Sequence, residues 1–251
     1  MVNIMNGPYD TSQFEKDLHE LQIDLEVVQI DQLLVYYEML VEWNQKMNLT
    51  AITEYDEVLK KHFIDSLSLV KAVQPGGLNL KLIDVGTGAG FPGLVLKIAF
   101  PNLQVTLLDS LNKRILFLNE VIQKLGLQGV EAIHGRAEDF ASEHSGQRKL
   151  REQFDLCVSR AVANLSTLSE YCLPFVKVGG QFISYKSEKL TEEAETAGKA
   201  ISVLGGQVNR QVDFYLPDSD IYRNLFVIDK VKETPKKYPR KAGLPGKEPI
   251  K

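Results

Sequence analysis

The chain has 251 residues, 44% of them hydrophobic and 25% charged, with a net charge of −4. These values suit a globular protein of one large domain, or one domain with a smaller module. Cys157 and Cys172 stand in no CxxC or Cys/His ligand spacing, which argues against zinc and a disulfide framework and for a reducing, cytoplasmic setting. No basic segment leads into an apolar run at the start, so no signal peptide is expected, and no window has the length of a membrane span.

Residues 12–72 carry helical spacing, apolar residues three and four apart with charge opposite. Leu33, Leu34, Tyr37, Leu40, Val41 and Trp43 form one such stripe, expected to face a core. "QPGG" at 74–77 breaks the pattern. Strands are then expected at "KLIDVG", "QVTLLD", "GVEAIHG", "FDLCVSRAV" and "GGQFISYK", with helices at "FPGLVLKIAF", "NKRILFLNEVIQKLG", "LSTLSEYCLPFV" and "KLTEEAETAGKAISVLGG" between or after them. "QVNRQVDFYLP" and "YRNLFVIDKV" read as a closing hairpin. The expected fold is α/β: a mostly parallel sheet with helices on both faces, an antiparallel C-terminal hairpin and an N-terminal helical extension. The expected organisation is 1–75 helical extension, 76–231 sheet domain and 232–251 basic tail. Seven Lys/Arg against Glu233 and Glu248 make that tail +5 and leave −9 on the rest. A local basic patch is what phosphate contact needs, although a solvated tail has the same composition.

"LIDVGTGAGFPG", 82–93, ends the first strand in a glycine turn, the place where doubly wound sheets bind ligands. Gly88, Gly90 and Gly93 fit the dinucleotide fingerprint, but Pro92 takes a backbone donor from the helix start, where a pyrophosphate would bind. The alternative is Asp-x-Gly-x-Gly-x-Gly over 84–90, the pattern of S-adenosylmethionine-dependent methyltransferases. That cofactor is cationic and has no phosphate, so an acid at the strand end is welcome. Asp109 ends the second strand, where a carboxylate accepts from ribose hydroxyls or caps the next helix. On these grounds Asp84, Gly88 and Asp109 are cofactor candidates. An NAD-dependent oxidoreductase stays the lesser reading.

"WNQKMNLTAI", "HFIDSL", "DVGTGAGFPG", "DSLNKR", "HGRAEDF", "VSRAVANL" and "YPRKAGLPGKEPI" together resemble the bacterial ribosomal RNA small subunit methyltransferase G family, also called glucose-inhibited division protein B. The resemblance runs from about Trp43 to the C-terminus. Ser187, after Tyr185-Lys186, stands where the family pattern is expected to carry glycine. The resemblance implies a Rossmann-like class I methyltransferase acting on N7 of a guanosine in 16S ribosomal RNA, with the small subunit or its RNA as partner. It implies cofactor contacts at Gly86, Phe91, Ala137, Glu138 and Arg160. Arg160 has the alternative of pairing with Asp155 or a helix end.

Guanine N7 has a free lone pair, so its attack on a sulfonium methyl needs orientation and water exclusion, not a general base. The sequence agrees: "SRAVANL" is not the Pro-Pro-aromatic turn of amine methyltransferases, and no Pro-Cys nucleophile is present. His62 reads as structural, and no catalytic acid, base or metal ligand is nominated. Asn48, Lys186, Arg240 and Lys241 are the substrate-side candidates, since RNA loops are held by cations at phosphates and by stacked bases. A small-molecule methyltransferase and a non-catalytic RNA binder are the other readings. The first has no use for a basic tail; the second has none for a complete cofactor turn. The tail, rich in proline and glycine, is expected to order without forming a helix.

Overall fold

The structure, a computed structural model, describes residues 9–76, 79–143, 149–160, 163–187 and 191–251. Seven strands make one sheet: β1 (Lys81–Val85), β2 (Gln104–Asp109), β3 (Val130–His134), β4 (Phe154–Ser159), β5 (Val176–Lys186), β6 (Gly206–Tyr215) and β7 (Tyr222–Lys230). Their order is β3-β2-β1-β4-β5-β7-β6. The pairs among β1 to β5 are parallel, while β7 runs antiparallel to both β5 and β6. The order reverses between β1 and β4, so a crevice opens beyond their carboxyl ends.

Strand alternation builds two cores. In β7, Leu225 and Val227 face one side of the sheet and Phe226 and Ile228 the other; in β1, Leu82 and Ile83 divide the same way. The second face packs on α7 (Ala137–Ala141), α8 (Leu165–Cys172) and α9 (Thr191–Val203). The first takes α5 (Gly93–Ala99), α6 (Asn112–Lys124) and the N-terminal helices α1 (Ser12–Glu20) and α2 (Val27–Met47). The helical extension therefore shares a core with the sheet. Gln29 fastens it: Oε1 accepts from Glu26 N (2.8 Å) at the start of α2, while Nε2 donates to the Ile98 and Ala99 carbonyls (2.6 and 3.0 Å).

The buried face of α2 is Gln29, Leu33, Tyr36 and Leu40, not the stripe through Leu34, Tyr37 and Val41, which stay partly exposed. Tyr36 displaces the expected stripe because its hydroxyl finds a buried acceptor, the Ala89 carbonyl in the glycine turn. The segment 55–71, helical in its spacing, divides into α3 (Tyr55–Val58), a π-helical turn (Leu59–Ile64), α4 (Asp65–Leu67) and a 3₁₀ turn (Ser68–Lys71). Ser66 Oγ and Ser68 Oγ donate to the His62 and Asp65 carbonyls (2.5 and 2.6 Å) and compete with the helix ladder there.

The tail does not stand free. Lys230, its side chain buried, donates to Glu152 Oε1 (2.9 Å), the Leu173 and Val176 carbonyls (2.7 and 2.9 Å) and Thr234 Oγ1 (2.9 Å). Arg151 Nη1 donates to the Tyr238 carbonyl (2.8 Å). Thr167 and Ser166 hold the Pro245 and Ile250 carbonyls (3.1 and 2.5 Å). Contrary to the expectation of no helix, Leu244–Lys247 forms a single turn, α10, entered through Gly243 at φ +83° with Pro245 in its first turn. Proline there is pre-set for helix and needs no N–H partner.

Candidate active site

A cleft of about 640 Å³ opens at the β1/β4 switch point, within the size range of small-molecule and cofactor sites. Gly86, Gly88, Phe91, Asp109, Ala137, Glu138 and Arg160 line it. Seven of the eight cofactor candidates thus converge from the ends of β1, β2 and β4 and the start of α7.

Asp84, the eighth, does not line it. Its carboxylate is fully buried behind the turn, where Oδ2 accepts from Thr87 Oγ1 (2.7 Å) and Gly93 N (2.8 Å). The acid therefore holds the turn's shape instead of facing a ligand. Burial raises its pKa to about 6 against those two hydrogen bonds. The contact has a second consequence. Gly93 N is the first amide of α5, the donor an anion would use, and Asp84 already occupies it.

Gly86 and Gly88 have φ of +73° and +62°, backbone that side chains with a Cβ rarely adopt. A Cβ built on Gly88 meets nothing within 4 Å, so the turn presents open backbone to the cleft. Gly90, itself at φ +102°, and Gly93 are also constrained by packing. Their Cβ atoms would lie 2.5 Å from Tyr36 Oη and from Leu107 Cδ2, where helices close on the sheet. Asp109 Oδ2 accepts from Gly88 N (2.9 Å) and Arg114 Nη1 (3.1 Å), and Oδ1 from Leu111 N (2.9 Å). Asp109 thus fixes Leu111, the residue that begins α6, without being the helix cap itself, and it lines the cleft.

At the mouth, His62 stacks on Phe91 at 4.4 Å and 17°, and the guanidinium carbon of Arg160 is 5.2 Å from the same ring. Arg160 does not pair with Asp155; it binds where the π-helical turn passes into α4. Its Nη1 donates to Asp65 Oδ2 (2.9 Å) and the Lys61 carbonyl (3.1 Å), and Arg223 Nε holds the other Asp65 oxygen (2.8 Å). Asp155 pairs with Lys177 instead. His62 Nδ1 lies 3.2 Å from both Arg160 Nη2 and the Lys61 carbonyl, and Nε2 lies 2.9 Å from Thr50 Oγ1. Burial, and then the Arg160 charge, push the His62 pKa down to about 3. His62 is a neutral wall of the cleft, not a cation.

The substrate-side candidates lie outside the cleft. Asn48 is the exposed, left-handed cap of α2, next to Leu49 and Thr50, which do line it. Lys186 Nζ is engaged by Glu193 Oε1 and the Ala163 carbonyl (both 2.8 Å). Arg240 is a correction. Its Nε and Nη2 clasp Glu170 (2.6 to 3.1 Å), a buried acid that would otherwise be an unpaired charge. Lys241 is exposed. Asp65, Thr50, Arg114, Arg136 and Tyr171 belong to the site or its support without having been singled out. For Asp65, His62 and Arg114 the only signal was their place in "HFIDSL" and "DSLNKR". Among the described residues no group of His, Cys, Asp and Glu is arranged to hold a metal ion, and no helix is long and apolar enough to cross a membrane.

A sheet of this order with an antiparallel seventh strand, a glycine turn after β1 and an acid ending β2 defines a class I methyltransferase. Solved structures agree on the fold. An S-adenosylmethionine-dependent methyltransferase from Aquifex aeolicus superposes with a TM-score of 0.50 at 18% identity, over 70% of this chain and 94% of that one. TYW2 from M. jannaschii, crystallised with S-adenosylmethionine, gives 0.53 at 13% identity, over 72% and 80%. Sequence carries the assignment further. Residues 29–222 match the family described as rRNA small subunit methyltransferase G, GidB. The protein called ribosomal RNA small subunit methyltransferase G in Lachnoclostridium phytofermentans is 56% identical over 243 residues, covering 96% of this chain and 98% of its own. The chain belongs to that family.

Proposed function

We propose that the cleft binds S-adenosylmethionine and that the enzyme transfers its methyl group to N7 of a guanosine in 16S ribosomal RNA. The observation that carries the cofactor reading is the Asp84–Gly93 contact (2.8 Å). It leaves open glycine backbone and an acid in the cleft while engaging the first of the α5 amides that a pyrophosphate would use, which favours a cation without phosphate over a dinucleotide. When bound, S-adenosylmethionine supplies an electrophilic methyl group. Gly86 and Gly88 give it close backbone approach, Asp109 accepts from ribose hydroxyls, and Ala137 and Glu138 flank the adenine.

The chain's own contribution to the transfer is placement. Phe91, His62 and Arg160 form a layered wall whose members Asp65 and Thr50 hold in position. Unstacked RNA bases rest on such rings and guanidinium planes. A neutral His62, with the cleft's carboxylates Asp109 and Glu138 already accepting from Gly88, Leu111, Arg114 and Gly243, fits a nucleophile that has no proton to lose. The family's description and the relatives' names support ribosomal RNA as the acceptor; the choice of N7 is our reading. Incubation with methyl-labelled cofactor and separated cellular RNAs is expected to label small-subunit RNA. Label confined to transfer RNA or to small molecules overturns the acceptor.

Phosphate contacts fall to the exposed cations of the tail. Lys236, Lys237 and Lys241 are exposed, unlike Arg240. Replacing all three with alanine is expected to shrink the slope of log RNA affinity against log salt by about 2, at roughly 0.7 per phosphate. Cofactor affinity should stay within about twofold. An unchanged slope makes them solvated surface.

A further inference from the structure

Arg240 and the residues after it do something the composition of the tail does not suggest. Arg240 grips Glu170 through Nε and Nη2 and adds its own backbone N–H to Oε1 (2.8 Å). Three residues on, Gly243 N donates to Glu138 Oε1 at 2.7 Å. A Cβ built on Gly243 would stand 3.7 Å from Arg136 Nη1, and one on Gly246 would stand 3.4 Å from Tyr171 Oη. Arg136, Glu138 and Tyr171 all line the cleft. The tail thus reaches three residues of the cleft wall from behind.

We propose that residues 238–248 form part of the cofactor site, and that Arg240 is a positioning residue that fixes Glu138 through the Gly243 amide. The inference rests on reading the cleft as the S-adenosylmethionine site. Glu138 lies on the five-residue helix α7 and is 5% exposed. A buried carboxylate accepts only, and it needs a donor to hold one orientation. Among the described residues the donor to Oε1 comes from the tail, and Oε2 is the oxygen left to face a ligand. Gly243 delivers that donor at φ +83°, the left-handed backbone that glycine tolerates. The Arg240–Glu170 fork, three residues earlier, sets where Gly243 lies. A planar fork fixes direction as well as distance, which a lysine does not. The family's basic C-terminal motif then serves two partners. Its exposed lysines face outward, and its arginine and glycine serve the cofactor.

The test is calorimetric titration of S-adenosylmethionine into the full chain, with folding followed by thermal melting. Arg240→Ala is expected to weaken binding about tenfold, and Glu138→Ala by a similar factor. The combined variant should bind no more weakly than Glu138→Ala alone, because Arg240 acts through Glu138. Should Arg240→Ala fail to fold, Arg240→Lys keeps a charge for Glu170 but not the fork and should lose several-fold, again only when Glu138 is present. A folded Arg240 variant with wild-type affinity overturns the inference. So does a combined variant in which the two losses multiply, since that is the pattern of independent destabilisation. A wild-type chain that binds no S-adenosylmethionine overturns the cofactor reading itself, and the inference with it.

Discussion

Gly86→Val is expected to abolish S-adenosylmethionine binding while the chain still melts cooperatively. Gly86 sits at φ +73° on the wall of the cleft. A β-branched residue held there costs about 1–2 kcal/mol in backbone strain alone. The added isopropyl group also excludes whatever lies against the backbone. The strain lowers stability, and the exclusion is expected to cost at least about a hundredfold in affinity, or roughly 3 kcal/mol. Calorimetry giving an affinity within threefold of wild type would show that the ligand does not approach this backbone, and the turn would then be structural only.

The largest effect on stability is expected at Asp65. Its carboxylate is 3% exposed and bridges Arg160 and Arg223, themselves 19% and 17% exposed. Alanine there strands two guanidinium groups that retain little water. Removing one partner of a buried ion pair costs about 3–5 kcal/mol; partial exposure of both arginines sets the expectation near the lower bound. For a chain of this size that is a fall of about 6–12 °C in Tm. Turnover should fall further than stability, because Arg160 loses the contact that aims it along Phe91. Asp65→Asn keeps one acceptor oxygen and should lose less of both. A Tm within about 2 °C of wild type would mean that the arginines find water or other partners and that the bridge holds little together.

What the sequence made legible follows from range. The seven strands were readable because alternation is a property of neighbours: the Leu225–Ile228 run needs no distant partner to declare two buried faces. The glycine turn was readable for the same reason, since its conformational demand is met residue by residue. Partnerships across the chain were not readable. Asp65 meets Arg160 and Arg223 from other elements, and nothing local distinguishes it from a solvated helix acid. Arg240 looked free in a basic tail because Glu170 is 70 positions away in α8. Asp84 was read as facing a ligand because the strand places an acid at its end, but spacing does not tell which way the carboxylate turns. Tyr36 was passed over for Tyr37 because helical periodicity assigns a face only to within a neighbour, and the Ala89 carbonyl decided between them.

The central claim is the atom that receives the methyl group. An N7-methylated guanosine is cationic, and after borohydride reduction its glycosidic bond becomes labile, so aniline cuts the RNA chain there. Small-subunit RNA labelled by this enzyme should, after that treatment, break at a single guanosine that carries the label. Labelled RNA that stays intact, with the label recovered on a ribose or an exocyclic amine, would contradict the account.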